Sequence, residues 1–151
     1  MDYEEILNEI IGCRKCPLHQ QARHAVPGEG PRDAEIMLVG QNPGEKEDET
    51  GRPFIGRSGK FLDKALEERG LDRSRLFITS VVKHKTPGNR KPYEHEIRSC
   101  LPHLEKQLKA VKPRIVLLMG EVAKKTPRQE GVEYVETVHP TAAMRFPKMR
   151  E

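Results

Sequence analysis

Cys13 and Cys16 stand two residues apart near the start of a chain of 151 residues. The chain holds 3 cysteines, an odd number that argues against a closed disulfide framework. A Cys-x2-Cys pair in a chain without secretory features points to a metal, a cluster or redox chemistry, and two further ligands are needed to complete a site. A second group is the turn Gly40-Gln41-Asn42-Pro43-Gly44. Its glycines permit close backbone approach to a ligand, and Pro43 stiffens the bend. A basic, Pro/Gly-rich stretch over 83–92 and the pair His139-Pro140 complete the set.

The elements that position these residues follow from hydropathy patterning. Tyr3, Ile6, Leu7, Ile10 and Ile11 have a helical period that stops at Gly12. Residues 17–34 read as a covering loop. Ile36–Val39 is a short continuous apolar run, as expected of a strand buried on both faces of a parallel sheet. Residues 45–58 read as a long polar loop, with Ser58 capping a helix over 59–69 and Gly70 ending it. Further strands are expected at 76–82, 115–119 and 132–138, with a helix over 93–110 and a curtailed crossover around Pro127. Strands alternating with helices predict a three-layer α/β/α domain around a four-stranded parallel sheet, spanning 1–151 as one unit. Ligands in such sheets sit beyond the carboxyl ends of the strands. The loops after the first, second and fourth strands carry the unusual residues, which places them at one edge.

Composition narrows the class. Hydrophobic residues make up 35% and charged residues 33%, yet the apolar positions cluster, as in a folded domain. No apolar run approaches the ~20 residues a membrane helix needs. The acidic start Met1-Asp2-Tyr3-Glu4-Glu5 lacks a signal-peptide core, so a cytoplasmic location is expected. A net charge of +4 is compatible with nucleic acid without demonstrating it. The high Lys and Glu content is a weak sign of heat adaptation.

Three ordered segments resemble the uracil-DNA glycosylases, in particular the iron–sulfur family 4. They are Cys13-Arg14-Lys15-Cys16-Pro17-Leu18 with Val26-Pro27-Gly28-Glu29-Gly30; Val39–Gly44 with Glu47-Asp48 and Gly51-Arg52-Pro53-Phe54-Ile55-Gly56; and Ile78–Lys83 with Pro87-Gly88-Asn89-Arg90 and His139–Arg145. The resemblance covers nearly the whole chain. It implies hydrolysis of the bond between a deoxyribose and uracil, or a related deaminated base, on a nucleotide flipped out of the DNA. It assigns His139 to donation at the departing base oxygen, Phe54 to stacking on the flipped base, and Gly40 and Gly44 to close approach. Met144 and Arg145 fall where the family wedges a side chain into the duplex. Lys85 and Arg90, with Lys83, Lys91, Lys148 and Arg150, are candidates for phosphate contact.

The chain departs from the family in four places. Gln41 stands where family 4 has Glu and cannot act as a general base at neutral pH. Asn42 resembles the Asn at this position in the mismatch-specific and single-strand-selective glycosylase families, which implies that it orients water, with Gln41 lining the pocket. Ser80 replaces the Asn that reads uracil, so base discrimination is expected to be looser. His84 takes the place of one cluster cysteine, so the implied [4Fe–4S] ligands are Cys13, Cys16, His84 and Cys100, with zinc on the same four as the alternative. The stretch from Gly120 to His139 is short. The expected partner is DNA carrying uracil or deaminated bases, with no membrane, acted on by a monomer. A non-catalytic iron–sulfur DNA-binding module and covalent capture of uracil-DNA by His84 are the competing readings.

Overall fold

The structure, a computed structural model, describes residues 2–68 and 70–137. His139, Met144 and Arg145 lie outside the described residues, as do Lys148 and Arg150. Four strands, β1 (Ile36–Gly40), β2 (Leu76–Ser80), β3 (Ile115–Met119) and β4 (Glu133–Thr137), form one sheet in the order β2-β1-β3-β4. The four strands pair with one another in parallel, with Ile36 opposite Leu76 and Ile115, and Ile115 opposite Glu133. Among the described residues five helices accompany it: α1 (Tyr3–Ile11), α2 (Leu18–Gln21), α3 (Glu45–Thr50), α4 (Arg57–Glu68) and α5 (Glu94–Val111).

The two faces of the sheet have separate cores, set by the alternation of side chains along a strand. Met37, Val39, Phe77, Val116 and Leu118 pack with Ile97, Cys100, Leu104 and Leu108 of α5. Leu38, Leu76, Ile78 and Met119 pack with Leu62 and Leu66 of α4. This gives the predicted three-layer α/β/α architecture. Among the described residues no helix is long and apolar enough to cross a membrane.

Local chemistry sets the helix ends. The Asp2 carboxylate accepts from the Glu5 amide at 3.0 Å, and α1 closes at Gly12. α5 runs 18 residues through Pro102. Proline removes one backbone donor, but the buried stripe Ile97, Cys100, Leu104 and Leu108 holds the helix against the sheet.

Some boundaries differ from expectation. The stretch expected as a loop over 45–58 contains α3, a helix of 6 residues without an apolar period. It forms because Glu47 returns to the Gly44 amide, a capping contact that hydropathy does not report. Ser58 does not cap α4 but lies inside its first turn, since the helix starts at Arg57. β2 ends at Ser80 and not at residue 82. The amides of Val81 and Val82 nonetheless still bond the carbonyls of Gly40 and Gln41, each at 3.0 Å. The curtailed crossover is a short 3-10 turn, Val122–Lys125.

Candidate active site

The carboxyl ends of β1 and β2 bring together Gly40, Gln41, Asn42 and Ser80, and the Val81–Gly40 and Val82–Gln41 hydrogen bonds hold the two loops in register. The ring of Phe54 lies across Gly40, where a Cβ would run into its edge. Only glycine fits there. Phe54 itself has a φ of 49°, the left-handed region uncommon for a bulky side chain. Gln41 donates from Nε2 to Oδ1 of Asn42 at 3.0 Å, and Asn42 donates from Nδ2 to the Pro43 carbonyl at 3.0 Å. The Asn42 amide is thereby held with one carbonyl lone pair left for a further donor. Ser80 is buried, at 5% exposure, and its hydroxyl donates to the Val82 carbonyl at 2.6 Å, so it offers a base only its lone pairs.

Glu47 organises the loop. One carboxylate oxygen accepts from the Gly44 amide at 2.9 Å; the other accepts from Ile55 at 2.9 Å and Gly56 at 2.7 Å. Asp48, 4% exposed, accepts from the amides of Arg23 and His24 at 2.8 and 3.3 Å and ties the covering loop to α3. Both carboxylates belong to the quoted motif, but neither spacing nor hydropathy signals an amide-binding role. Lys83 was expected among basic surface residues and is instead fully buried behind Ser80.

Two of the basic residues expected at phosphates, Lys85 and Arg90, are partnered within the chain. Lys85 lies 3.3 Å from Glu45. Arg90 makes a two-pronged pair with Glu96 at 2.8 and 2.9 Å and stacks 3.7 Å over the ring of Tyr93. The Arg90 guanidinium holds the Glu96 carboxyl below its ordinary range. Arg90 therefore braces the start of α5. An open cavity lined by Pro31, Ala34, Ile36 and Leu71 lies by the amino ends of β1 and β2, away from this chemistry.

On the opposite face of the sheet from α4, Cys13, Cys16 and Cys100 are free thiols and all buried. Cys100 feels the charge of both other cysteines, and its sulfur accepts from the Lys83 amide, which brings residues 83 and 84 beside α5. Burial pushes its thiol up to about 11, so metal ligation there would release a proton. Burial also raises Cys16. His84 is 4% exposed and its Nδ1 has no hydrogen-bond partner. Burial, and then the charge of His19, lower its pKa and keep it a neutral potential donor. His19 in turn sits 2.7 Å from the Cys16 carbonyl. Three buried thiols and an orphaned imidazole suit the donor set of a sulfur-rich cofactor. Among the described residues no three such side chains converge as they would on a single metal ion.

Residues 27–151 match the family described as the uracil DNA glycosylase superfamily. The Type-4 uracil-DNA glycosylase of Sulfurisphaera tokodaii is 41% identical over 172 residues, covering 98% of this chain and 78% of that protein. The Type-4 uracil-DNA glycosylase of Pyrobaculum aerophilum is 39% identical over 173 residues, covering 99% of this chain and 88% of that protein. The wild-type UNG crystal structure from Nitratifractor salsuginis gives a TM-score of 0.45 at 19% identity, over 80% of this chain and 74% of that one. The chain is an α/β protein that belongs to the uracil-DNA glycosylase superfamily. Within that superfamily its relatives at 41% and 39% identity carry the Type-4 name.

Proposed function

We propose that this protein is a monofunctional DNA glycosylase that hydrolyses the N-glycosidic bond of uracil, or a related deaminated base, and so starts base excision repair. The observation that carries the reading is the Phe54 ring lying over Gly40 beside Asn42 and Ser80, in a chain of this superfamily. A flipped base stacks on that ring. The lone pairs of Ser80 accept from the N3–H of uracil. The base departs as an anion stabilised by hydrogen-bond donation, a role that the family resemblance gives to His139.

Water needs no carboxylate base at this site. Gln41 is an amide, and Glu47 is held by three backbone amides. The free lone pair of Asn42 orients the water, which suffices when the sugar becomes cationic before attack. Lys85 and Arg90 reach phosphate only by releasing their acidic partners, so affinity for the DNA backbone falls chiefly to other basic residues. DNA carrying the damaged base is the only partner required.

Cys13, Cys16, His84 and Cys100 would hold a [4Fe–4S] cluster. A cubane binds each ligand through a different iron, so its donors stand apart, whereas zinc draws its ligands around one ion. Zinc on the same four residues is the alternative. The bound cluster would join the Cys13–Cys16 segment to α5 as a structural staple. Burial of His84 favours ligation over attack on a sugar. A cytoplasmic, monomeric protein is part of the same reading.

The test is incubation of purified protein with labelled oligonucleotides carrying uracil, hypoxanthine or thymine opposite guanine, single- and double-stranded, followed by alkali. Cleavage only after alkali is expected. No cleavage of any substrate by cluster-replete protein would leave a DNA-binding module, and a heat-stable protein–DNA band would point to covalent capture.

A further inference from the structure

We propose that Arg73 is the positioning residue for the base-stacking ring of Phe54, an inference that rests on the glycosylase reading above. Arg73 lies in the 3-10 turn Arg73–Arg75 that leads into β2. One end of its guanidinium donates to the Phe54 carbonyl at 2.5 Å and to Asp63 on α4 at 2.8 Å. The other end donates to the Pro53 carbonyl at 2.5 Å. A planar fork matches two neighbouring carbonyls in a way that a lysine ammonium cannot. Asp63 fixes the fork, whose side chain is only 19% exposed.

The same carbonyl is also packed tightly against Gly59, where a Cβ would collide with the Phe54 carbonyl oxygen and its carbon. The fork and this bare glycine together hold the peptide after Phe54 in its observed orientation. That orientation goes with the φ of 49°, a conformation that an aromatic residue adopts only when its surroundings enforce it. The direction of the Cα–Cβ bond, and with it the placement of the ring over Gly40, follows from the held peptide. Without the fork the backbone relaxes toward negative φ and the ring swings off Gly40. Arg73 touches neither the base nor the sugar, so it acts only through Phe54.

Arg73→Ala and Arg73→Lys are compared in the wild-type and Phe54→Ala backgrounds on a single-stranded uracil oligonucleotide, with Tm measured alongside. In the wild-type background kcat/KM is expected to fall roughly tenfold to a hundredfold, the range a lost base–aromatic stack gives. In the Phe54→Ala background the same changes are expected to cost less than about twofold, because removal of one partner abolishes coupling. Equal losses in both backgrounds overturn the proposal. Where Arg73→Ala does not fold, Arg73→Lys carries the same comparison.

A second readout does not need activity. In protein labelled with 4-fluorophenylalanine, with the Phe54 resonance assigned through Phe54→Leu, both Arg73 variants are expected to shift or broaden that resonance and leave those of Phe61 and Phe77 in place. A Phe54 resonance that does not respond in folded Arg73→Ala overturns the proposal. A responsive resonance in a wild-type chain inactive on every base upholds the clamp and overturns the glycosylase reading alone.

Discussion

The Nζ of Lys83 lies 2.7 Å from Oε1 of Gln107, inside a protein where Lys83 has no exposed surface. Thr79 Oγ1 at 2.7 Å and the Ser80 carbonyl at 2.5 Å complete three acceptors, one for each proton of an ammonium. Gln107 passes the link on, donating to the Pro27 carbonyl at 2.7 Å and to the Tyr3 hydroxyl at 3.3 Å. One side chain thus joins the end of β2 to α5, the covering loop and α1. Burial draws its pKa down to about 7, so the network works against a substantial desolvation penalty. Lys83→Met should leave these acceptors unmet and destabilise the fold by about 2–4 kcal/mol. Urea unfolding checks this, and a midpoint equal to wild type would show that the acceptors find other partners.

The contact between Phe54 and Gly40 makes a paired prediction. Phe54→Ala removes the stacking platform and should lower kcat/KM by roughly tenfold to a hundredfold with little change in Tm. Gly40→Ala places a Cβ against the ring and should give a similar loss. If displacement of the ring is the reason, the double variant should be no worse than Phe54→Ala alone. Steady-state kinetics on single-stranded uracil DNA decides it, and additive losses would mean that Gly40 serves the site in some other way.

Ser80 sets the expected breadth of substrate. Its hydroxyl donates to the Val82 carbonyl at 2.6 Å, which leaves no donor for the O4 of uracil. Ser80→Asn adds an amide that can pair with N3–H and O4 together. The ratio of kcat/KM for uracil over hypoxanthine should then rise by at least about tenfold. An unchanged ratio in an active variant would show that position 80 does not read the base.

The sheet, its parallel sense and both major helices were legible in the sequence because they rest on hydrophobic periodicity. The run Ile115–Met119 is the clearest case, since all of it forms β3 and pairs along β4. The helix α3 was not legible because its formation depends on Glu47 capping a glycine amide and on no buried stripe. Candidate site residues were nameable by type and order, and of those described Gly40, Gln41, Asn42, Phe54 and Ser80 lie together at the carboxyl ends of β1 and β2, which leaves their roles a proposal. What composition could not show is which polar groups are already engaged. Lys83 and Arg90 read as solvent-facing cations, yet one is entombed by Gln107 and Thr79 and the other is forked to Glu96. Arg73 stood out by no motif, because its partners are backbone carbonyls of a loop whose path only the fold defines.

The proposed cluster ligands differ in what their replacement should do. Cys100→Ser removes one buried thiol of the set and should abolish the visible absorbance of a bound cluster. His84→Cys should retain it and lower its midpoint potential by on the order of 100 mV, since imidazole ligation raises potentials relative to thiolate. Potentiometry followed by electron paramagnetic resonance measures the shift. An unchanged potential with an intact cluster would show that His84 is not a ligand.

His103 follows Cys100 by one helical turn in α5, is 1% exposed, and has no hydrogen-bond partner on either ring nitrogen. Burial, followed by the charges of Lys15 and Lys83, pulls its pKa down to about 4; Lys106 adds to the effect and Glu9 opposes it. An unfolded histidine titrates near ~6.5. Between these two values the unfolded chain holds more protons than the folded one. Stability therefore falls as pH drops through that window and gains no further loss from this group below it. The contribution is at most about 3 kcal/mol. His103→Phe keeps a ring of comparable shape without the two unpartnered nitrogens. It should match or exceed wild-type stability at pH 7 and lose less on acidification to pH ~4.5. Guanidinium unfolding at several pH values compares the two slopes. Parallel slopes would show that His103 takes up its proton in the folded protein as readily as in the unfolded chain, and that its nitrogens are not sealed from solvent.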